Sequence, residues 1–217
     1  MATLAFMASN WSVILARGLE HISLVGAAVA IAICTGVPIG VAITANRRAA
    51  DAVLYAASIM ITIPSIALFG MLIPVLSLIG QGIGYLPALV ALVLYSQLPI
   101  IRNTYTAITN VDPALREAAR GMGMTTMQRL REVELPIALP VIVSGVRNAV
   151  VLNIAIAAIA TYIGAGGLGT FISRGISQTD IRQLLTGAIA VSVLAIVADF
   201  ALLGLQRLLT SPGLRTS

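Results

Sequence analysis

The sequence predicts an all-α membrane protein, a bundle of five spanning helices. Three observations predict it. Of the 217 residues, 59% are hydrophobic and 10% charged, with a mean hydropathy of +1.00. Ordinary soluble domains carry about 25% charged residues, so this chain cannot cover a water-facing surface. The apolar residues fall into five runs, each long enough for the roughly 20-residue crossing of a bilayer core. The Arg residues gather at alternate connections between those runs, the pattern of a chain inserted with one orientation.

Residues 1–20 read as an N-terminal interfacial segment, with an amphipathic piece around Trp11–Leu19. The N-terminus has no basic stretch ahead of its apolar part, so a cleavable signal peptide is not expected. The spans are predicted at about 21–45, 52–79, 86–108, 137–163 and 184–209, and residues 210–217 form a tail. Pro64 and Pro74 lie inside the second run, Pro99 inside the third and Pro140 inside the fourth. Helices interrupted this way need neighbouring helices to satisfy freed backbone groups, so a packed bundle is expected. Gly36 and Gly40 form a GxxxG, which permits close helix approach.

Nine Arg (47, 48, 102, 116, 120, 129, 131, 207 and 215) share one side in a five-span chain, against Arg17, Arg174 and Arg182 on the other. The richer side is cytoplasmic. The N-terminus is then outside and the C-terminus cytoplasmic. The net charge of +5 is spread between apolar segments without forming one basic face, which fits lipid headgroups and excludes nucleic acid as a partner. Cys34 is the only cysteine, so no disulfide or zinc constellation forms within the chain.

The longest charged segment, 112–136, is expected to be two short helices. Asp112 caps the first, with Pro113 at its first position, where a missing N–H is harmless. Gly121 or Gly123 takes the left-handed position that ends it. Thr125 and Gln128 fit a capping box for a second helix, Thr126–Leu135, and Pro136 marks its end. Such a loop exceeds what topology requires and suits the docking of a cytoplasmic partner; small Ala118, Ala119 and Gly121 would let that partner come close. An amphipathic loop lying on lipid is the competing reading of the same residues.

Glu117-Ala118-Ala119, Gly121 and Leu135-Pro136 resemble the EAA loop of ABC-importer permeases. The stretches 62–76, 86–108, 111–124 and 163–169 are similar to permeases of osmoprotectant importers, which move glycine betaine, choline, carnitine or related solutes. The resemblance covers nearly all of residues 20–207. It implies a five-span type I permease bundle whose loop is a pair of coupling helices seated on an ATPase subunit. It also implies a second permease copy or paralogue, an extracytoplasmic solute-binding protein, and ATP used by the partner alone. The chain itself has no GxxxxGK[ST] and no Ser/His/Asp set, so it is expected to be neither an enzyme nor a holder of cofactor or metal. An ion-gradient carrier is the alternative class; it would show more spans and an internal repeat.

Gly164, Gly166 and Gly169 formally match a dinucleotide fingerprint, but they follow a span instead of a strand, so an external turn is expected. His21 is expected to be an interfacial structural residue. Arg147 and Asp199 lie in apolar runs and could snorkel, or pair if their depths match. Asn153, near mid-span, is a candidate for the translocation path, as are Tyr95 and Tyr162.

Overall fold

The structure is a computed structural model that describes residues 2–209. The predicted tail 210–217 lies outside the described residues. Every regular element described is helical: α1 (Ala2–Ser9), α2 (Trp11–Ala42), α3 (Arg47–Thr62), α4 (Ser65–Ser77), α5 (Tyr85–Thr109), α6 (Pro113–Gly121), α7 (Thr126–Arg129), α8 (Leu135–Ile159), α9 (Gly169–Ser177) and α10 (Ile181–Leu209). A π-helical segment, Leu130–Glu134, joins α7 to α8. Four of these are long and apolar enough to cross a membrane, and the bent pair α3–α4 brings the number to five.

The bent pair connects the two ends of the bundle. Val41–Ala45, the end of α2, lies beside Ile108 and Thr109, the end of α5, and α3 starts directly after it. At the opposite end, the Gly84 N–H that opens α5 donates to the Ile163 carbonyl at 2.7 Å. The chain of α3 and α4 therefore runs from one end to the other.

The core is organised around α5. Helices α2 and α8 both pack along it, and α3 and α4 rest on it as well. Close approach is made by glycine. A Cβ on Gly36 would lie 2.9 Å from Ile100 Cγ2, and one on Gly40 would lie 2.6 Å from Thr104 Cβ. On the α8 side, a Cβ on Gly145 would meet Asn103 Cβ at 2.6 Å and the Pro99 carbonyl at 2.7 Å. The GxxxG of α2 thus works inside the chain. With these side chains absent, dispersion contacts form at backbone range, the main attraction available between helices in lipid. Leu92, Ile100, Ala88 and Ala91 of α5 are fully buried as a result.

Several boundaries differ from expectation. Trp11–Leu19 is not a separate interfacial piece but the first part of α2, whose 32 residues make about 48 Å of helix. Pro38, Pro99 and Pro140 sit within unbroken helices. The chain breaks only at Pro64, where α3 and α4 meet at 100°. Ile63, the residue before that proline, is extended (φ −69°, ψ 126°), as proline demands of its predecessor. The carbonyl of Ile63 is taken by the Tyr95 hydroxyl at 2.5 Å. The connector after the fourth span contains α9. That helix packs against α10 through Gly175, against Leu184, and Gly187, against Phe171 and Ile172.

His21 is buried in place of interfacial, at 1% exposure, with Nε2 at 3.1 Å from the Ile154 carbonyl. It packs against Gly167, one of three left-handed glycines with Gly164 and Gly166. The Gly167 N–H donates to Glu20 Oε2 at 3.0 Å, and Arg17 donates to both Glu20 oxygens. The apparent dinucleotide fingerprint is a turn whose backbone donor already serves the chain's own carboxylate. Beyond α9, Asp180 caps α10 through the Arg182 N–H, at 3.0 Å. Hydrogen bonding from the Arg182 side chain holds the Asp180 carboxyl down to about 2. Since that carboxyl is depressed in the folded chain, the cap is kept through mild acid and lost only as the pH falls through about 2.

Arg147 of α8 and Asp199 of α10 form a bidentate pair: Nε donates to Oδ1, and an Nη to Oδ2 at 2.8 Å. The pair ties the last span to the bundle.

Two measurements check this account. Gly40→Val should lower stability by roughly 1–3 kcal/mol through overpacking against Thr104. Gly26→Ala, where nothing lies within 4 Å of the added carbon, should be neutral. Thermal unfolding in lipid nanodiscs separates them, and equal melting temperatures would contradict the close approach. Asp199→Asn should lower the melting temperature more than the double change Arg147→Met/Asp199→Leu, because the single change leaves a guanidinium in an apolar run without its counter-charge.

Candidate docking loop

The loop between α5 and α8 is built by local signals. The Asp112 carboxylate accepts from the Ala114 N–H at 2.8 Å, and Pro113 opens α6. Gly123, at φ +79°, takes the left-handed position after the helix, while Gly121 remains its last helical residue. The Met124 N–H returns to the Ala119 carbonyl at 3.1 Å. The expected capping box is present: the Gln128 N–H donates to Thr125 Oγ1 at 3.3 Å, and the Thr125 N–H to Gln128 Oε1 at 2.9 Å.

The second helix does not stop at Pro136. α7, the π segment and α8 form one continuous rod from Thr126 to Ile163, including a final 3-10 turn. Proline lacks a donor, and its ring crowds the carbonyl four residues back. Here the turn before it is widened into π-helix, which relieves that crowding without ending the rod. The loop is therefore continuous in backbone with the fourth span.

Two faces of the loop differ sharply. Glu117, Ala118 and Gly121 are exposed, with Arg120, Met122 and Met127 beside them. Nothing lies within 4 Å of the place a Gly121 Cβ would occupy. Ala119, by contrast, is 1% exposed. It points into the bundle, so its small size serves the inner packing and not a partner's approach. Leu135 is half-buried and packs with Ala107, Ile108, Ala138 and Ile142; Pro136 is exposed at the foot of the fourth span.

Beneath the loop lies an ion network that the sequence reading did not identify. Glu134 is buried at 5% exposure, and its Oε1 sits 2.8 Å from Arg129 Nε and 3.3 Å from Arg116 Nε. Arg116 also donates to the Ile108 carbonyl at the end of α5. A hint was available: Glu134 stands between Val133 and Leu135, a carboxylate in an apolar setting that needs a cation.

The path candidates are not brought together. Asn153 is fully buried, its amide donating to Ser96 Oγ at 2.7 Å, with Oδ1 unpartnered among the described residues. Tyr95 is 3% exposed and engaged at the α3–α4 break. Tyr162 is exposed in the turn after α8. Within one chain, Asn153 and Tyr95 are interior residues of the bundle.

The chain matches the family model described as the inner membrane component of binding-protein-dependent transport systems, over residues 32–211. It is 54% identical to the osmoprotectant import permease protein OsmW of Salmonella typhimurium, over 99% of this chain and 100% of that one. It is 39% identical to the glycine betaine/carnitine/choline transport system permease protein OpuCB of Bacillus subtilis, covering 98% and 95%. Among solved structures it is similar to a chain of the MetNI methionine ABC transporter in an inward-facing form. The TM-score is 0.82 at 28% identity, covering 93% of this chain and 99% of that one. A chain of an amino acid ABC transporter shares the fold, with a TM-score of 0.73 at 20% identity over 94% and 95%. These matches agree with a helical bundle in a membrane and with a transport component that is not itself an enzyme. The chain belongs to the family of inner membrane permease components of binding-protein-dependent ABC importers.

Proposed function

We propose that this permease carries a compatible solute, glycine betaine, choline, carnitine or a similar quaternary amine, into the cell. The observation that carries the reading is the 54% identity, over 99% of the chain, to an osmoprotectant import permease. Two permease chains, copies or paralogues, line a shared path, with the N-terminus outside and the C-terminus cytoplasmic. An external binding protein delivers the solute. Two ATPase subunits grip the loops at α6, with Glu117, Ala118 and Gly121 in contact and Leu135 and Pro136 at the junction with the span. ATP binding closes the ATPase pair and draws the loops together. Because the partner contacts differ between two states, the bundle equilibrium shifts and access alternates. On this reading Tyr95, at the 100° break, and Asn153, with its unpartnered oxygen, remain the path candidates, to be uncovered by helix motion.

Supporting the docking role, the outer face of α6 has open space over Gly121 and exposed charge around it. Gly121→Asp should therefore fold normally yet weaken co-purification of the ATPase by roughly tenfold or more, since it places an unpaired charge against a close-packed surface. Uptake of labelled glycine betaine should fall with it. The assay is proteoliposomes holding the permease with its ATPase and binding protein, with and without internal ATP. Full uptake and full ATPase retention in Gly121→Asp would refute docking at this face. Uptake driven by an ion gradient without any ATPase would favour a secondary carrier, and displacement by another small polar solute would change the substrate.

A further inference from the structure

The docking face on α6 and the spanning helices are separate pieces of the chain, and the force has to pass between them. Helix α6 touches the rest of the chain chiefly through α7 and the π segment. A buried carboxylate stands at that junction. Glu134 closes the π segment immediately before Leu135 and Pro136, and it is buried although it is a carboxylate. Both of its ion partners come from the loop: Arg129 at the end of α7 and Arg116 on α6. Arg116 is next in sequence to Glu117 on the docking face, and its guanidinium also holds the Ile108 carbonyl at the end of α5.

We propose that Glu134 is the positioning residue that transmits movement of the docking loop to the fourth span, by clamping Arg116 and Arg129 to the foot of α8. This deepens the importer reading above and rests on it. Three features make the clamp a transmitting element. First, the carboxylate is shielded from water, so its charge-assisted hydrogen bond from Arg129 is stiff and directional and its 3.3 Å ion pair with Arg116 is little screened. Second, it is part of the continuous rod Thr126–Ile163, so a pull on Arg116 or Arg129 acts on the span itself. Third, the loop has room to travel. A cavity of about 310 Å³ lies under it, bounded by Arg116, Arg129 and Glu134 together with Thr44, Thr126 and Ile108. Without the clamp, α6 would follow the ATPase while the π turn absorbed the motion, since a wide turn beside a proline has a weak hydrogen-bond register.

A static role in folding the loop makes a different prediction from transmission, and solute moved per ATP hydrolysed separates the two. The test uses the complete importer, permease with ATPase and binding protein, in proteoliposomes with labelled glycine betaine as the probe. In Glu134→Gln the ATPase should remain bound and hydrolyse ATP within about twofold of wild type. Solute moved per ATP should fall by roughly tenfold, the weight of one charge-assisted hydrogen bond. A ratio unchanged from wild type, or uptake and hydrolysis falling in parallel, would overturn the clamp. If Glu134→Gln fails to assemble, Arg116→Gln decides by the same two outcomes. Its side chain is 29% exposed, and Glu134 keeps Arg129 when it is removed. A wild-type complex without ATP-driven uptake would defeat the importer reading and the clamp with it. Wild-type transport with an unaltered variant ratio defeats the clamp alone.

Discussion

The close approach of α2 and α8 to the two sides of α5 is the constraint on which the rest of this structure depends. Lipid offers helices no hydrophobic reason to associate, so the bundle is held by short-range packing and a few polar contacts. Gly36 and Gly40 on one flank and Gly145 on the other remove the side chains that would keep the backbones apart. Once α5 is sandwiched, its own side chains become fixed reference points. Ser96 meets Asn153 across the α8 interface, Tyr95 holds the broken span, and the last turn of α5 presents the Ile108 carbonyl to the loop. The loop end of the bundle is thus registered to a contact made in its middle.

The loop shows how a soluble-looking segment becomes part of a membrane helix. Its outer face is exposed and charged, while Ala119 and Glu134 turn inward. The same few residues therefore hold two surfaces in fixed relation, one exposed and one against the spans. The widened turn at Leu130–Glu134 is where these meet. It keeps the rod continuous past Pro136, with the buried Glu134 at its last position.

What could be read in advance followed from how local each signal is. Composition and run length sufficed for a helical bundle in a membrane, and the Asp112 and Thr125 caps could be read because a cap lies within three residues of its partner. Features that depend on distant residues were not legible. The Glu20–Gly167 hydrogen bond spans 147 positions, and the Tyr95–Ile63 bond only makes sense once the break at Pro64 is known. Pro38, Pro64, Pro74, Pro99 and Pro140 look alike in sequence, yet only Pro64 coincides with a break, where a hydroxyl from α5 waits for the carbonyl beside it. The GxxxG announced close approach, but its partner on α5 was decided by the fold. Ala119 and Glu134 were misplaced or missed for a related reason. A sequence shows that a residue is small or charged, and only the folded chain shows which way it faces.

The Arg147–Asp199 pair has a consequence for how the protein is made. The two residues stand 52 positions apart, on the fourth and last spans. A ribosome delivers Arg147 to the membrane well before Asp199 exists. During that interval the guanidinium must stay near a polar edge or in the insertion machinery, because an unpaired charge is costly among lipid tails. Arrival of α10 neutralises it and lets α8 settle to its final depth. A chain truncated ahead of Asp199 therefore holds an unanswered charge in its fourth span, and the last helix is needed to neutralise it.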